Sequence, residues 1–214
     1  ETTAHDLVGI QTILSRVEPG GIAVRVYSKG DKPQRQVPHY AMRFSQLCSS
    51  IADGTAKQRD LYLANHTHEQ YPCDFEEFQL ECARLCHLEE VEKKLGLCPA
   101  WRDGPMSLWL GPGGHREQCH YDLYDNLHFQ LVGSKRWILY PPSVINFVAL
   151  QPHSILADVE AGPNFSSVCD ARNSKALGGV ECVLQPGEIL YIPAGWWHEV
   201  HGLEEGEGMI VSMN

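Results

Sequence analysis

Beyond Pro99 the chain alternates short apolar runs with glycine and proline turns: SLWLG, LHFQLVG, KRWILYPP, GVECVLQPG, EILYIPAG and GMIVSMN. Each run is long enough for one strand, and the turn residues between them stop it from extending into a helix. Many short strands with frequent turns predict an all-β sandwich or barrel. The first hundred residues read differently. Ile10 to Val17 suggests a short helix stopped by Pro19-Gly20-Gly21, IAVRVY (22–27) a strand, Ser28 to Pro38 an exposed loop, Phe44 to Ile51 a second short helix and DLYLANH (60–66) another strand. Phe78, Cys82, Leu85, Leu88, Val91 and Leu95 recur at three- and four-residue steps. That spacing predicts one amphipathic helix, or two joined near His87, closing at Gly96.

No composition shift or linker separates the two parts. The expectation is one domain over residues 1–214, an α+β and mainly β fold with a mixed α/β part over 1–100 and a β-barrel over 101–214. Lys plus Arg is 17 against 27 Asp plus Glu, a net charge of −10. A phosphate backbone is gripped by clustered Lys and Arg, so no nucleic-acid partner is expected. No apolar run approaches the ~18 residues of a spanning helix, and the start, ETTAHDLVGI, has no signal-peptide pattern. No membrane association is expected, and the termini read as those of part of a longer protein.

The 8 cysteines are scattered, with no CxxC pair, which disfavours a structural zinc site and points to a reducing, intracellular setting, cytoplasm or nucleus. Cys82, Cys86, His87 and Cys98 could form a zinc cluster, but Cys82 and Cys86 fall in the apolar helical stripe and read as core residues.

His120-Tyr121-Asp122 and the distant His198 carry the chemistry. On a strand, residues i and i+2 share a face, so His120 and Asp122 present an imidazole and a carboxylate side by side. A third ligand from another strand would complete one triangular face of a metal. Two His and one carboxylate leave open positions, as non-haem Fe(II) needs to bind a cosubstrate and oxygen. His198 follows PGEILYIPAGWW, where a Pro-containing bend could aim its imidazole into a barrel mouth walled by tryptophan rings.

The stretches HYDLYDNLHFQLVGSKRWILYPP and LQPGEILYIPAGWWHEV resemble the JmjC (cupin-like) family of Fe(II)- and 2-oxoglutarate-dependent oxygenases. The subgroup that is most similar contains the asparaginyl hydroxylase of hypoxia-inducible factor and other protein hydroxylases. The resemblance implies a double-stranded β-helix (jelly-roll) barrel with N-terminal helices and strands packed on it. It implies His120, Asp122 and His198 as iron ligands, and Lys135 as the cation for the distal carboxylate of 2-oxoglutarate. A dicarboxylate in a partly buried pocket needs such a counter-charge. Asn126 matches an asparagine lining the cosubstrate pocket, Tyr62 a tyrosine that hydrogen-bonds the same carboxylate, and Asn214 a late-strand asparagine.

The implied activity is hydroxylation of an amino-acid side chain in a protein or peptide, with O2 as cosubstrate. A lysine demethylase and a small-molecule hydroxylase would share the site, and a barrel that binds without turnover is the non-enzymatic alternative. Related hydroxylases often dimerise through helices after the barrel, which admits a homodimer. One position departs from the pattern. Three residues before the His-x-Asp motif the subgroup usually has Ser or Thr, and here stands Glu117. A carboxylate there repels the cosubstrate carboxylate unless it is protonated, turned away or bridged by a cation such as Arg116 or Lys135, so either Glu117 faces out through a strand shift or the pocket is rewired. Cys119, Trp137 and Trp196 are expected to be packing residues. His66, His68 and His128 could lie near the substrate mouth, but each reads singly as a surface or hydrogen-bonded histidine.

Overall fold

The computed structural model describes residues 22–26, 39–59, 61–66, 80–81, 83–96, 107–147, 174–204 and 208–214. The expected helix over 10–17, the turn at 19–21 and the loop over 28–38 lie outside these residues. Among them, no helix is long and apolar enough to cross a membrane.

The expected strands at 22–27 and 60–66 form as β1 (Ile22–Val26) and β3 (Leu61–His66), with β2 (His39–Met42) between them. Helix α1 (Phe44–Ala52) and the short α2 (Thr55–Arg59) lead into β3. The amphipathic segment is broken near His87, which adopts a left-handed φ of 49° at the start of α3 (Leu88–Leu95). Glu89 and Glu90 in the first turn and Lys93 and Lys94 in the last turn of α3 suit its dipole, and Gly96 ends it at φ 65°.

The remaining strands are β4 (Ser107–Pro112), β5 (Arg116–Tyr121), β6 (Asn126–Val132), β7 (Lys135–Tyr140), β8 (Val180–Leu184), β9 (Ile189–Ile192), β10 (Trp197–Gly202) and β11 (Met209–Met213). They form a seven-stranded sheet, β2-β1-β3-β4-β11-β6-β9, and a four-stranded sheet, β5-β10-β7-β8. From β4 onward the chain passes back and forth between the sheets, except that β7 and β8 pair with each other. This antiparallel two-sheet winding is a jelly roll. β10 is not apparent in the apolar pattern of the sequence, because WHEVHG carries Glu199 and His201 on the outer face of the smaller sheet. There Glu199 is bound by Arg116 at 2.5 Å and by His201 at 2.6 Å.

The larger sheet inverts the usual arrangement of a barrel wall. Leu61 and Leu63 of β3, Leu108 and Leu110 of β4, Phe129 and Leu131 of β6, and Val211 and Met213 of β11 all join one apolar core with Leu47, Ile51, Leu85, Leu88 and Val91 of the helical part. That core lies on the outer face, and burying each such side chain contributes about 1.5–3 kcal/mol. Strand alternation then turns Tyr62, Trp109, Asn126, His128, Gln130, Ser212 and Asn214 to the interior. The inner face of the smaller sheet contributes Trp137, Leu184 and Val200, which pack with Ile192 of β9, while its outer face carries Cys119, Ile138, Tyr140 and Trp197, covered by Val144. A polar interior between two sheets held by apolar cores is the setting of the site.

Candidate metal centre and its pocket

His120 of β5 and His198 of β10 are direct cross-strand partners. Asp122 follows β5 and completes a group whose ligand atoms all lie within 4.8 Å of one another. The His120 and His198 ring centroids are 4.3 Å apart, and His198 Nε2 stands 3.7 Å from Asp122 Oδ2. His198 Nδ1 lies 3.1 Å from the Trp196 carbonyl oxygen. A proton on Nδ1 donated to that carbonyl leaves the Nε2 lone pair directed at the group. Burial, reinforced by His120, pushes the His198 imidazole down to about 4, against an opposing effect of Asp122. The ring is therefore neutral at neutral pH, as a metal ligand must be. Two imidazoles and one carboxylate on one face suit iron(II), and the residues present fit that ion.

Two connections clasp the ligand-bearing segments together. The Gly195 N–H donates to the Asp122 carbonyl at 2.8 Å, with Gly195 at φ 78°. Asp125 Oδ1 accepts from the Ala194 N–H at 2.9 Å and from the Tyr191 hydroxyl at 3.1 Å. The proline bend before His198 is thus tied to the loop after His120. Asn126 Nδ2 donates to Asp122 Oδ2 at 2.6 Å. Asn214 joins the same chain, donating from Nδ2 to Asn126 Oδ1 at 3.4 Å and accepting from Trp109 Nε1 at 2.5 Å.

Deeper in the barrel, Lys135 is only 4% exposed. Its ammonium donates to Ser212 Oγ at 2.6 Å and to Tyr62 Oη at 3.3 Å. Burial lowers the Lys135 ammonium to about 7, and the Glu117 carboxylate opposes that drop. Gln130 holds the turn that launches Lys135, donating to the carbonyls of Val132 and Gly133 at 2.9 Å each. Tyr62 fits because β4 has glycine at position 111, where a Cβ would overlap its ring.

His120, Asp122, His198, Lys135, Asn126, Tyr62 and Asn214 surround one interior. The Asn126 amide is turned onto Asp122. Glu117 does not face out: it is 5% exposed, and its Oε1 lies 3.1 Å from His115 Nε2. The cause is a bulge. His198 pairs with His120 but Val200 pairs with Glu117, so β5 spends one extra residue between those two positions. The extra residue reverses the alternation and turns residues three apart to the same side. Arg116, one of the cations expected to bridge Glu117, instead binds Glu199 on the outer face.

His128 is neither at the surface nor fully hydrogen-bonded. It is 3% exposed, its Nε2 has no hydrogen-bond partner, and its ring stands edge-on to Trp137 with centroids 4.5 Å apart. Burial, with Lys135 and His198 nearby, holds it neutral. Trp137 Nε1 is likewise buried without a partner. The side chain of His66 and all of His68 lie outside the described residues, as do Cys82 and Cys98. Cys86 behaves as a core residue: it is 5% exposed with Sγ 3.8 Å from Met213 Sδ, and burial pushes its thiol up to about 12. Cys119 packs against the outer face as expected. Ser212, His115 and Gln130 were not apparent as site residues, since a lone Ser, His or Gln in a strand carries no motif.

A family model described as a cupin-like domain matches residues 11–214. Mouse HSPB1-associated protein 1 is 34% identical over 110 residues, covering 48% of this chain and 22% of that protein. The zebrafish 2-oxoglutarate and iron-dependent oxygenase JMJD4 is 29% identical over 100 residues, covering 46% of this chain and 24% of that protein. The chain thus spans about a quarter of the length of these curated relatives. The solved structure of Escherichia coli ycfD shares the fold with a TM-score of 0.52 at 21% identity, covering 99% of this chain and 44% of that one.

Proposed function

The chain belongs to the family of cupin-like domains, and from that membership we propose that it is an Fe(II)- and 2-oxoglutarate-dependent oxygenase that hydroxylates an amino-acid side chain of a protein or peptide. The observation that carries this reading is the convergence of His120, Asp122 and His198 within 4.8 Å, in a barrel whose interior also holds the buried ammonium of Lys135. The zebrafish relative named a 2-oxoglutarate and iron-dependent oxygenase supports it.

In this reading residues 1–214 act as one unit. His120, Asp122 and His198 hold iron(II), and Asn126 keeps the Asp122 carboxylate oriented. Lys135, with the hydroxyls of Tyr62 and Ser212 beside it, receives the distal carboxylate of 2-oxoglutarate. Asn126 and Asn214 line the pocket between. His128 Nε2 and Trp137 Nε1 are further polar atoms without partners among the pocket groups. Bound iron(II) would supply the redox chemistry by which 2-oxoglutarate, O2 and a substrate C–H become succinate, CO2 and C–OH. The barrel walls exclude water and position the reactants.

A polymeric substrate is supported by the rim. Leu123 and Tyr124, which directly follow Asp122, are 69% and 77% exposed, and Tyr191, tied to the same loop, is 55% exposed. Large apolar side chains left in solvent beside a metal centre suit a peptide that lies across it. The test is succinate formation from 2-oxoglutarate with Fe(II), together with a mass gain of one oxygen atom on a peptide library. His120→Ala and Asp122→Ala should abolish both. Undiminished turnover in either variant ends the assignment.

A further inference from the structure

A carboxylate stands inside the pocket that should receive a dicarboxylate. The β5 bulge turns Glu117 inward, where it is 5% exposed. His115 Nε2 holds its Oε1 at 3.1 Å, and the His115 ring stacks on Tyr62 with centroids 3.7 Å apart and planes 12° from parallel. Tyr62 in turn accepts from the Lys135 ammonium at 3.3 Å. Glu117, His115, Tyr62 and Lys135 thus form one continuous buried row. The Glu117 carboxylate at one end of this row favours the protonated form of Lys135 at the other.

Charges in a dry cavity interact over long distances. A pocket with one buried ammonium attracts a distal carboxylate, whereas a pocket that also holds a carboxylate has that attraction largely offset and repels the incoming anion. We propose that Glu117 determines the cosubstrate specificity of this pocket: its charge offsets that of Lys135, so that a 2-oxo acid with a distal carboxylate is bound weakly and gains little over one of the same chain length that lacks it. The inference rests on the oxygenase reading and sharpens it. If Glu117 were only a structural partner of His115, replacing it by an isosteric hydrogen-bonding group would leave ligand preference unaltered.

The test is calorimetric titration of the Mn(II)-loaded protein at pH 6, where Lys135 carries its proton, with 2-oxoglutarate and, separately, with 2-oxopentanoate. Glu117→Gln keeps the shape and an oxygen for His115 but removes the charge. It should tighten 2-oxoglutarate by about tenfold or more and 2-oxopentanoate by no more than about threefold, the size of effect that one like charge exerts in a low-dielectric site. Glu117→Asp, which keeps the charge, should retain the wild-type preference. Glu117→Thr provides a second neutral variant if the glutamine form does not fold. The proposal is overturned if neither neutral variant tightens 2-oxoglutarate, or if both acids tighten equally, which would indicate space rather than charge. Failure of every form to bind either acid while Mn(II) still binds removes the oxygenase reading, and the proposal with it. That outcome differs from the others in that wild-type binding is itself lost.

Discussion

The side-chain amide of Asn126 donates a 2.6 Å hydrogen bond to Oδ2 of Asp122, the carboxylate oxygen that also faces His198 Nε2 at 3.7 Å. A residue on β6 thereby sets the orientation of a ligand at the end of β5. Replacing Asn126 by Ala frees the carboxylate to rotate. Metal affinity should fall by about 10- to 100-fold, the usual effect of losing such an outer partner. Titration with Co(II), followed by its visible absorption, measures this, and wild-type affinity in Asn126→Ala would show that the hydrogen bond is incidental.

Lys135 gives the protein a pH signature with a definite sign. Its ammonium titrates near 7 in the folded chain against 10.5 for an ordinary lysine. Between those values the unfolded chain binds more protons, so this group makes stability rise with pH across that window, and its contribution has been lost once pH has fallen through about 7. Lys135→Met should flatten the slope of urea-unfolding free energy against pH between neutrality and pH 10.

The same group predicts proton uptake on ligand binding. At pH 8 Lys135 is largely neutral before an anion arrives and charged afterwards. The binding enthalpy of 2-oxoglutarate should therefore depend on the ionisation enthalpy of the buffer, with protons taken up. Lys135→Met should remove that dependence, and a buffer-independent enthalpy in the wild type would contradict the assignment.

Gly111 is needed for the position of Tyr62 rather than for a turn. A Cβ there would overlap the Tyr62 ring. Gly111→Ala should destabilise the fold by about 1–3 kcal/mol, the range for overpacking a closed site. Adding Tyr62→Ala should recover most of that loss, and a double-mutant cycle with no coupling would place the strain elsewhere.

Asp125 is the clasp between the loop after Asp122 and the bend before His198, through Ala194 and Tyr191. In Asp125→Ala the Ala194 amide should exchange its hydrogen about tenfold faster, because the opening no longer breaks that bond. Metal affinity should fall in parallel, since His198 is then less well placed. Unchanged exchange at Ala194 would rule out the clasp.

Much of this architecture is written in local patterns. Turn residues between short apolar runs mark β4, β6, β7, β8, β9 and β11 at close to their observed positions. The two-residue spacing of His120 and Asp122 places both ligands on one side of the chain. β10 was hidden because Glu199 and His201 stand on the outer face, where Glu199 meets Arg116 and His201, so the strand has no apolar alternation to read.

Strand existence, turn positions and the pair of ligands on one segment follow from the chain alone, because each depends on neighbours a few residues apart. The inward turn of Glu117, the Asn126 amide on Asp122, Ser212 beneath Lys135 and His115 stacked on Tyr62 depend on which strands pair and in what register. A bulge that shifts β5 by one residue against β10 reverses which side chains face the cavity. Only the assembled sheets decide that, since the pairing energy is gained between residues that are far apart in sequence.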